Sequence, residues 1–254
     1  MDIDRKDKIR TYIEQQGSVR ISDLEVLYPN ISGMTIRRDL FALESEGCIR
    51  RVRGGAKAIP RGSGLKEDVY SQRISRNTEA KKKIAQNAMQ FIETGRSIYI
   101  DSGTTTAILA KMIPDADYSI ITSGPNIGMD LTLGHSNSRV TLIGGQLNRS
   151  NLTVSGPGSL HFLKDLNIDI AFVATTGFSL KSGFTNGDYN ECELKKVVIR
   201  KAGRVIMLMD STKIGRNLPF TFATLREVDI LITDSELPPE YRDAAKKYNV
   251  RVIY

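Results

Sequence analysis

Histidine and cysteine are scarce in this chain of 254 residues, which contains two of each. His135 and His161 are well separated, so neither a histidine-built metal site nor a Ser-His catalytic pair is expected. Cys48 and Cys192 form no Cys-x-x-Cys pair. Each is predicted to behave as a small, partly buried apolar residue rather than as half of a disulfide. We therefore predict no metal site and no catalytic histidine.

Long apolar runs and nucleotide-binding signatures are also missing. No run approaches the roughly 20 residues of a membrane span, and residues 1–6 lack the apolar centre of a signal peptide. We therefore expect a cytoplasmic protein with no membrane partner. The chain contains neither a Walker loop nor a Gly-x-Gly-x-x-Gly dinucleotide signature, so no cofactor is expected.

The residues that are present fit a globular protein with a net positive charge. Hydrophobic residues make up 40% and charged residues 26% of the sequence, which is typical of a chain with a buried core. The length favours one large domain, or a small domain joined to a medium one. A net charge of +7 and an isoelectric point near 9.4 suit a partner that carries phosphate without identifying it.

Three short helices are predicted near the N-terminus. The first covers residues 4–16 and shows an apolar stripe at helical spacing. The second is expected over residues 22–27, with Ser22 as its N-cap and with Leu24 and Leu27 facing inward. Ser32 is expected to cap the third helix. Three short helices with a turn before a basic third one are typical of a helix-turn-helix.

The third helix, which is expected to end near Ser45, is amphipathic with a basic outer face. At about 100° per residue its buried stripe consists of Ile36, Leu40 and Leu43. Its opposite side presents Met34, Arg37, Arg38 and Phe41. Arginine pairs bidentately with guanine O6 and N7 or binds a phosphate, so the helix suits the DNA major groove. Taken alone, it is equally typical of a surface helix with solvated arginines.

The segment after this helix has the pattern of a basic wing. Residues 48–59 predict two short strands around the glycines at 54 and 55. Positions 50–61 hold five basic residues and no acid: Arg50, Arg51, Arg53, Lys57 and Arg61. A charge run is often only a solvated face, but after a helix-turn-helix it favours contact with the phosphate backbone. The predicted DNA contacts are Ser32, Met34, Thr35, Arg37, Arg38, Arg51 and Arg53.

A specific string of residues runs through this segment. It reads Thr35-Ile36-Arg37-Arg38-Asp39-Leu40, then Leu43-Glu44 and Gly47, then Arg51 and Gly54-Gly55-Ala56. The string resembles the DeoR family of bacterial transcription regulators. The resemblance implies that residues 1–59 form a winged helix-turn-helix that binds double-stranded operator DNA, although the turn at 28–31 is one residue longer than usual. Asp39 is expected to hold a nearby basic side chain rather than to touch DNA.

A flexible break at 60–65 is the predicted linker, and residues 66–254 are the predicted second domain. There, short β-branched apolar runs alternate with helical patterns, at 97–100, 118–122, 140–143, 170–174, 205–209, 230–233 and 250–253. Such strands between helices indicate a mostly parallel sheet covered on both faces. The predicted fold class is α/β, with a small winged helix-turn-helix domain preceding a larger mostly parallel domain.

Small polar residues follow several of these strands, where ligands bind in parallel sheets. The clearest run is Asp101-Ser102-Gly103-Thr104-Thr105-Thr106, which suits an anion at a helix N-terminus. Similar runs are Thr122-Ser123-Gly124, Gly144-Gly145, Thr175-Thr176-Gly177 and Asp210-Ser211-Thr212-Lys213. Each loop is also typical of an ordinary helix cap, and Lys213 of an exposed turn.

Five of the chain's segments occur in the order found in the DeoR-type sensor domain, which they resemble: Asp101-Ser102-Gly103-Thr104-Thr105, Gly144-Gly145, Glu191 to Lys195, Asp210-Ser211-Thr212-Lys213 and Thr233-Asp234. The resemblance covers nearly all of residues 66–254, and that domain is similar to ribose-phosphate isomerase and CoA-transferase folds. It implies a phosphorylated sugar as effector. The implied phosphate-binding residues are Ser102, Gly103, Thr104, Thr105, Thr106 and Lys213.

The resemblance also implies a sugar-binding end of the site. The residues implied there are Glu191 and Lys195. The loops that follow neighbouring strands add Thr122, Ser123, Thr175 and Thr176 to the predicted effector site. Asp101 would accept sugar hydroxyls or simply cap its loop. For Glu191 and Lys195, spaced i, i+4, the alternative is a salt bridge on a helix surface.

The favoured function is repression of a sugar-metabolism operon by a homodimer or homotetramer that a phosphorylated sugar releases. The alternative is an active sugar-phosphate isomerase or transferase with a DNA-binding appendage, which needs a general base. The strand at 170–174 runs into Thr175-Thr176-Gly177 without a carboxylate, and Asp188, Glu191 and Asp210 remain as candidate bases. We therefore predict binding without turnover. A nonspecific nucleic-acid-binding protein would fit the charge but leave the large α/β domain without a role.

Overall fold

The computed structural model describes residues 2–45, 49–58 and 67–254. These residues belong to two units, Met1–Ser63 and Gly64–Tyr254, and each unit is described by itself. Gly47, Cys48 and the predicted linker at 60–65 lie outside the described residues.

In its described part, the N-terminal unit combines three helices with a three-stranded sheet. In chain order the elements are α1 Asp2–Gln16, β1 Ser18–Arg20, α2 Ile21–Leu27, α3 Gly33–Ser45, β2 Ile49–Val52 and β3 Gly55–Ala58. Strand β3 lies between β1 and β2 and pairs antiparallel with both. The core contains Ile9, Ile13, Leu24, Ile36, Leu40, Leu43 and Ile49. The predicted winged helix-turn-helix is confirmed.

The start of α2 differs from the prediction. Strand β1, which the sequence pattern did not predict, carries the extended chain to Arg20, and the helix begins at Ile21. The carboxylate of Asp23 accepts the Arg20 N–H at 2.9 Å. Asp23 therefore makes the capping contact, and the assignment of Ser22 as N-cap is wrong. A strand of three residues is too short to show an alternating pattern, which is why β1 was missed.

Other side chains of this unit were predicted with mixed success. Leu24 is buried in α2, as predicted. Leu27 is 48% exposed, so its predicted inward position is wrong. The hydroxyl of Ser32 accepts a backbone N–H from the first turn of α3 at 3.2 Å, which confirms its capping role. Asp39 is buried and accepts Arg5 Nε–H at 2.8 Å, as expected for a residue that holds a basic side chain.

The C-terminal unit is an α/β structure. Its strands are β4 Ser97–Ile100, β5 Ser119–Thr122, β6 Arg139–Leu142, β7 Gln146–Asn148, β8 Thr153–Ser155, β9 Ile168–Ala174, β10 Gly177–Ser179, β11 Gly183–Asn186, β12 Ala202–Leu208, β13 Phe220–Ala223, β14 Ile230–Ile232 and β15 Arg251–Ile253. Its α-helices are α4 Tyr70–Ile74, α5 Thr78–Ala88, α6 Thr104–Met112, α7 Pro125–Gly134, α8 Pro157–Leu163, α9 Tyr189–Lys201 and α10 Pro239–Lys247. Short 3-10 helices occur at Met89–Phe91, Ser211–Lys213 and Leu225–Glu227.

Seven of these strands form one sheet in the order β15-β14-β12-β9-β4-β5-β6. Every pair in it is parallel. They coincide with the seven predicted runs to within a few residues at their ends, so the predicted α/β fold class is confirmed.

The sheet is apolar on both faces, as the unbroken strand sequences require. Tyr99, Ala171 and Val173 enter one core, which also receives side chains from α9 and α10. Ile100 and Phe172, their neighbours along the strands, enter a second core that receives side chains from α5, α6 and α7. Successive residues of a strand point to opposite faces, so each central strand supplies both cores.

Five short antiparallel strands were not predicted. Strands β7 and β8 form a hairpin, and β10, β11 and β13 form a separate small sheet. Each has three or four residues, and several are rich in glycine, serine and threonine, so neither length nor β-branched content marked them.

The strand order reverses between β4 and β9. From β4 the chain adds β5 and β6 on one side and then returns to place β9 on the other side. In open α/β sheets such a reversal leaves a crevice beyond the carboxyl ends of the two strands, and ligands bind there. The fold therefore directs attention to the loops after β4 and β9.

Candidate functional site

The loops after β4, β9 and β12 meet in one pocket at this crevice. Its lining residues are Arg73, Lys81, Ser102, Gly103, Thr104, Thr105, Ala174, Thr175, Thr176, Glu191, Lys195, Asp210 and Lys213. Most of the predicted effector residues are among them, brought together from positions that span more than 100 residues of sequence. The lining is almost entirely polar and carries both signs of charge.

Gly103 lets the loop after β4 approach the end of β9. A Cβ atom at this position would lie 2.6 Å from the Cβ of Ala174, so a larger residue would push the two strand ends apart. Helix α6 begins at once, and Ala107 N–H donates to the Gly103 carbonyl at 3.0 Å. The backbone N–H groups that precede Ala107 in the first turn have the orientation in which helix N-termini bind anions.

Lys195 is the centre of a buried ion cluster beside the pocket. Its Nζ lies 2.9 Å from Asp101 Oδ2 and 3.1 Å from Glu191 Oε1, and it donates to the Ala174 carbonyl at 2.7 Å. Burial alone would lower the pKa of Lys195, but the two carboxylates raise that pKa above its usual value. The side chains of Lys195 and Glu191 are only 3% and 5% exposed, so the alternative of a salt bridge on a helix surface is wrong.

Glu191 is oriented from two further directions. Asn151, on the turn between β7 and β8, donates its side-chain amide to Glu191 Oε2. Asp188 caps α9 by accepting the Glu191 backbone N–H at 2.8 Å. Asn151 was not predicted, because a lone asparagine in an unpredicted hairpin gives no sequence signal. The result is a pocket carboxylate whose position is set by a cation, an amide and a helix cap.

Three other cations line the pocket. Lys213 Nζ lies 3.6 Å from Asp210 Oδ2; burial lowers the pKa of Lys213, although Asp210 favours its charged form. Arg73 Nη1 lies 2.6 Å from Glu67 Oε1. Within the described residues, the Nε–H of Arg73 is buried and has no hydrogen-bond partner.

Lys81 is the third of these cations. Its ammonium donates to the carbonyl oxygens of Arg73 and Arg76, the second at 2.6 Å. Since an ammonium has three N–H donors, one donor remains for a ligand. Burial, followed by the charge of Lys213, lowers the pKa of Lys81 to about 8. Arg73 and Lys81 were missed by sequence reasoning because they precede the first strand of the main sheet and match no local motif.

Four predicted effector residues do not line the pocket, which corrects the prediction. Asp101 is buried, and its carboxylate contacts the Lys195 ammonium. The hydroxyl of Thr106 donates to the carbonyls of Asp101 and Gly103 at 2.6 and 2.8 Å. Thr122 Oγ1 accepts the Gly124 N–H at 3.1 Å, and Ser123 Oγ bonds the Tyr99 hydroxyl at 2.9 Å. Asp101, Thr106, Thr122 and Ser123 thus hold the loops that present the lining residues.

The N-terminal unit presents a basic surface on α3 and the wing. Six of the seven predicted DNA contacts are exposed, namely Ser32, Met34, Arg37, Arg38, Arg51 and Arg53, while Thr35 is half-buried. Ser32 and Thr35 are joined in the helix cap, with their hydroxyl oxygens 3.0 Å apart. The outer face of α3 therefore consists of the residues expected from its periodicity.

Arg51 makes contacts that the sequence did not reveal. Its Nε and its backbone N–H each donate to the Glu44 carboxylate at 2.7 Å, and its guanidinium lies 5.0 Å from the ring centre of Phe41. These bonds lower the pKa of Glu44. Arg51 thus joins strand β2 to α3, and its guanidinium is shared with Glu44 rather than presented alone to DNA.

Cys192 is a buried free cysteine whose thiol contacts the Phe220 carbonyl at 3.3 Å, and burial raises the pKa of that thiol to about 12. Its predicted apolar character is confirmed, while Cys48 lies outside the described residues. In the described part of the chain, no helix is both long and apolar enough to cross a membrane.

Both units match models of one protein family. Residues 5–61 match the DeoR-like helix-turn-helix domain, and residues 76–235 match the DeoR C terminal sensor domain. The chain belongs to the DeoR family. It is a DNA-binding transcriptional regulator in which the pocket lies within the sensor domain.

Relatives of this DeoR-family chain include regulators from archaea and bacteria. The HTH-type transcriptional regulator GlpR of Haloferax volcanii is 34% identical over 223 residues, which cover 87% of this chain and 86% of that protein. The glycerol-3-phosphate regulon repressor of Escherichia coli strain K12 is 27% identical over 249 residues, covering 98% and 97%. Among solved structures, ribose 5-phosphate isomerase A from Methanocaldococcus jannaschii is similar at a TM-score of 0.39 and 16% identity, over 55% of this chain and 56% of that chain; this likeness carries no argument about activity.

Proposed function

We propose that this regulator represses a sugar-metabolism operon and leaves DNA when a phosphorylated sugar binds in the pocket. The observation that carries the proposal is the lining itself, in which Arg73, Lys81 and Lys213 accompany the Glu191 and Asp210 carboxylates. Charged donors form strong, short hydrogen bonds to phosphate oxygens, whereas carboxylates accept hydrogen bonds from sugar hydroxyls. A molecule with a phosphate at one end and hydroxyls at the other matches this combination.

The proposed site binds its ligand without converting it. Glu191 is held by Lys195 and Asn151, and Asp210 Oδ1 accepts the Thr212 N–H at 3.1 Å and the Asn77 amide at 3.2 Å. A general base must instead reach a substrate carbon-bound proton. Isomer interconversion by the purified chain, abolished by Glu191→Gln, would contradict this part of the proposal and favour the alternative of an active isomerase.

The proposal includes a symmetric homodimer or homotetramer on operator DNA. Two copies of α3 in such an assembly reach half-sites about one helical turn apart or at a multiple of that spacing. Selection of bound fragments from genomic DNA, followed by sedimentation of the complex, gives the operator and the stoichiometry. Equal affinity for the selected operator and for unrelated DNA at the same salt concentration would indicate nonspecific binding instead.

The effector class is tested by the melting temperature of the full chain. The panel contains glycerol 3-phosphate, ribose 5-phosphate, glucose 6-phosphate and fructose 6-phosphate, with inorganic phosphate and the unphosphorylated molecules as controls. A ligand at 100 times its Kd stabilises by about 2.7 kcal/mol, which corresponds to roughly 5–11 °C for a unit of this size. A rise with one phosphorylated member supports the proposal. No rise with any member would contradict a sugar-phosphate effector.

Lys213→Ala is expected to weaken binding of the stabilising panel member about 10–150-fold, the equivalent of a lost hydrogen bond to a charged group of 1.5–3 kcal/mol. DNA binding by the ligand-free protein should be unchanged. The matched control is Lys111→Ala, which removes an exposed lysine that lies 3.6 Å from Asp130 on the helix surface. If isothermal titration gives both variants the wild-type Kd, Lys213 is not a phosphate ligand.

A further inference from the structure

Residues 67–77 are here called the strap. They contribute Arg73 to the pocket and lie near the N-terminal unit in the sequence. In the sequence the strap directly follows residues 59–66, which lead from that unit. The strap contains α4 and contacts the turn between β7 and β8 and the first turn of α7. Tyr70 N–H donates to the Ser150 carbonyl at 2.7 Å, and Asn126 donates to the Tyr70 hydroxyl at 2.8 Å.

Glu67 fixes the beginning of the strap to the ends of β9 and β11. Its carboxylate accepts the Thr176 hydroxyl at 2.8 Å and the Gly187 N–H at 3.3 Å. The approach is close, since a Cβ atom on Gly187 would lie 2.8 Å from the Cβ of Glu67. Burial, followed by the charge of Glu191, raises the pKa of Glu67, whereas Arg73 favours its ionised form. The ionised carboxylate therefore depends on Arg73.

Arg73 belongs to the strap and also lines the pocket. It uses Nη1 to contact Glu67 at 2.6 Å, while its Nε–H has no hydrogen-bond partner among the described residues. A guanidinium presents its N–H groups as a fork that matches two oxygens of a phosphate. A carboxylate of the strap itself thus satisfies part of this fork.

Lys81, like Arg73, links the strap to the pocket. Its ammonium holds the carbonyls of Arg73 and Arg76, at the end of α4, and also lines the pocket. A ligand that attracts the Lys81 ammonium therefore pulls on the backbone of the strap. Two cations that face the ligand are consequently also bonds that position the strap.

We propose that the strap reports occupancy of the pocket: a bound phosphate takes Arg73 from Glu67, and the strap changes its arrangement as a result. This inference rests on the proposed function, because it needs a phosphorylated ligand at the same site. A phosphate monoester carries a charge of about −1.5 to −2 near neutral pH, which exceeds that of the competing carboxylate. The ligand binds more tightly to the arrangement in which Arg73 has left Glu67 than to the one in which the two are paired. Such a difference in affinity between two states is what a population shift requires.

Hydrogen exchange of the full-length protein, followed by mass spectrometry, tests the inference. The probes are inorganic phosphate and the phosphorylated panel member that raises the melting temperature most. With that member at saturation, amides of residues 67–77 are expected to change their exchange rates several-fold. Amides of β9 serve as the internal reference, since they lie in the centre of the main sheet and should change little.

Two neighbouring carboxylates of the strap provide matched variants. Glu67→Gln removes the competitor for Arg73, so its strap should exchange without ligand as the wild-type strap does with ligand, and it should bind the same panel member several-fold more tightly. Asp68→Asn removes a carboxylate that pairs with Arg76 at 2.8 Å and is 38% exposed. It should behave as wild type in both measurements. Arg73→Lys, which keeps the charge but not the fork, should bind more weakly and lose the exchange response.

Each result decides the inference. A melting-temperature rise without any change at 67–77 overturns the strap mechanism and leaves the sensor function standing. No rise with any panel member overturns the proposed function and the inference with it. Equal behaviour of Glu67→Gln and Asp68→Asn overturns the exchange of Arg73. If Glu67→Gln does not fold, an unchanged exchange response in Arg73→Lys overturns it as well.

Discussion

Lys195 neutralises two carboxylates in a part of the sensor domain from which water is almost excluded. Removal of two charges from water is costly, and only mutual contact and complete hydrogen bonding offset that cost. Here Lys195 contacts Asp101 and Glu191 and also donates to a backbone carbonyl. Burial raises the pKa of Asp101, and the charge of Lys195 opposes that rise.

Lys195→Met is expected to destabilise the sensor domain by about 3–5 kcal/mol, because it leaves two buried carboxylates without their cation. The melting temperature should fall by roughly 6–20 °C, measured by calorimetry without ligand. The matched control is Lys196→Met, which removes a half-exposed lysine paired with Glu193 at 2.8 Å and should cost less than about 1 kcal/mol. Equal losses in the two variants would show that the buried cluster contributes nothing special.

Lys81 is expected to make ligand binding dependent on pH. Its pKa in the folded protein is lowered to about 8 by burial, with Lys213, Arg73 and Arg76 opposing its charge and Asp210 favouring it. The folded state therefore releases this proton before the unfolded state does, and the contribution of Lys81 to stability rises with pH above about 8.

Affinity for the stabilising sugar phosphate is expected to fall as the pH rises from 7 to 9, since Lys81 loses its charge while the phosphate, with a second pKa near 6, stays doubly ionised. Isothermal titration at several pH values measures the fall. In Lys81→Met the affinity should be weaker throughout and the decline near pH 8 reduced. A wild-type affinity that is constant from pH 7 to 9 would contradict a contact between Lys81 and the phosphate.

At the scale of the element, the contact between Glu44 and Arg51 joins α3 and the wing into one surface. The Glu44–Arg51 contact fixes β2 against the end of α3. The guanidinium of Arg51 also lies over the ring of Phe41 on the same helix. Arg51 thereby positions the wing, while Arg38 lies exposed on the outer face of the helix. We propose that base and phosphate contacts come from α3 and from Arg53, and that Arg51 acts mainly through Glu44.

Arg38→Ala is expected to weaken operator binding about 5–150-fold, the range for loss of one bidentate arginine contact of 1–3 kcal/mol. Folding and sugar-phosphate binding should be unaffected, because the side chain is exposed. Fluorescence anisotropy with labelled operator measures the Kd. Arg139→Ala, at the exposed start of β6, removes the same charge from the sensor domain and serves as control. Equal Kd values for the two variants would move the contact elsewhere, first to the wing.

At the scale of the whole molecule, a DNA-binding domain and a sensor domain share one chain, and their ligands influence each other. Thermodynamic linkage requires that if a sugar phosphate weakens operator binding by some factor, operator DNA weakens sugar-phosphate binding by the same factor. The strap offers a physical element on which both ligands can act, since its Arg73 lines the pocket and the strap directly follows, in sequence, the residues that lead from the DNA-binding domain.

The stabilising sugar phosphate is expected to lower operator affinity about 5–150-fold, and saturating operator to lower sugar-phosphate affinity equally. Titrations of each ligand at a fixed salt concentration, with and without the other, give the two factors. A scrambled duplex of the same length is the control for charge. Tight sugar-phosphate binding with no change in operator affinity would exclude this mode of regulation.

Features that depend on local pattern were determined by the sequence itself. The stripe of Ile36, Leu40 and Leu43 placed α3 and its basic face, because helical periodicity is a property of a few successive residues. The β-branched apolar runs placed all seven strands of the main sheet for the same reason. Because ligands bind beyond the carboxyl ends of parallel strands, the predicted strand ends also identified the loops that contain Ser102, Thr175 and Lys213 as candidates for the pocket.

Features that depend on distant contacts were decided only by the tertiary structure. The order of the strands, in which β9 returns beside β4, determines which loops meet, and no local pattern encodes it. Arg73 and Lys81 enter the pocket because the strap lies against those loops, and Arg51 meets Glu44 because β2 packs on α3. The sequence left Lys195 as a possible surface residue, and only the packed chain shows that it is a buried cation. Burial and charge pairing are properties of the packed chain, whereas periodicity is a property of the sequence.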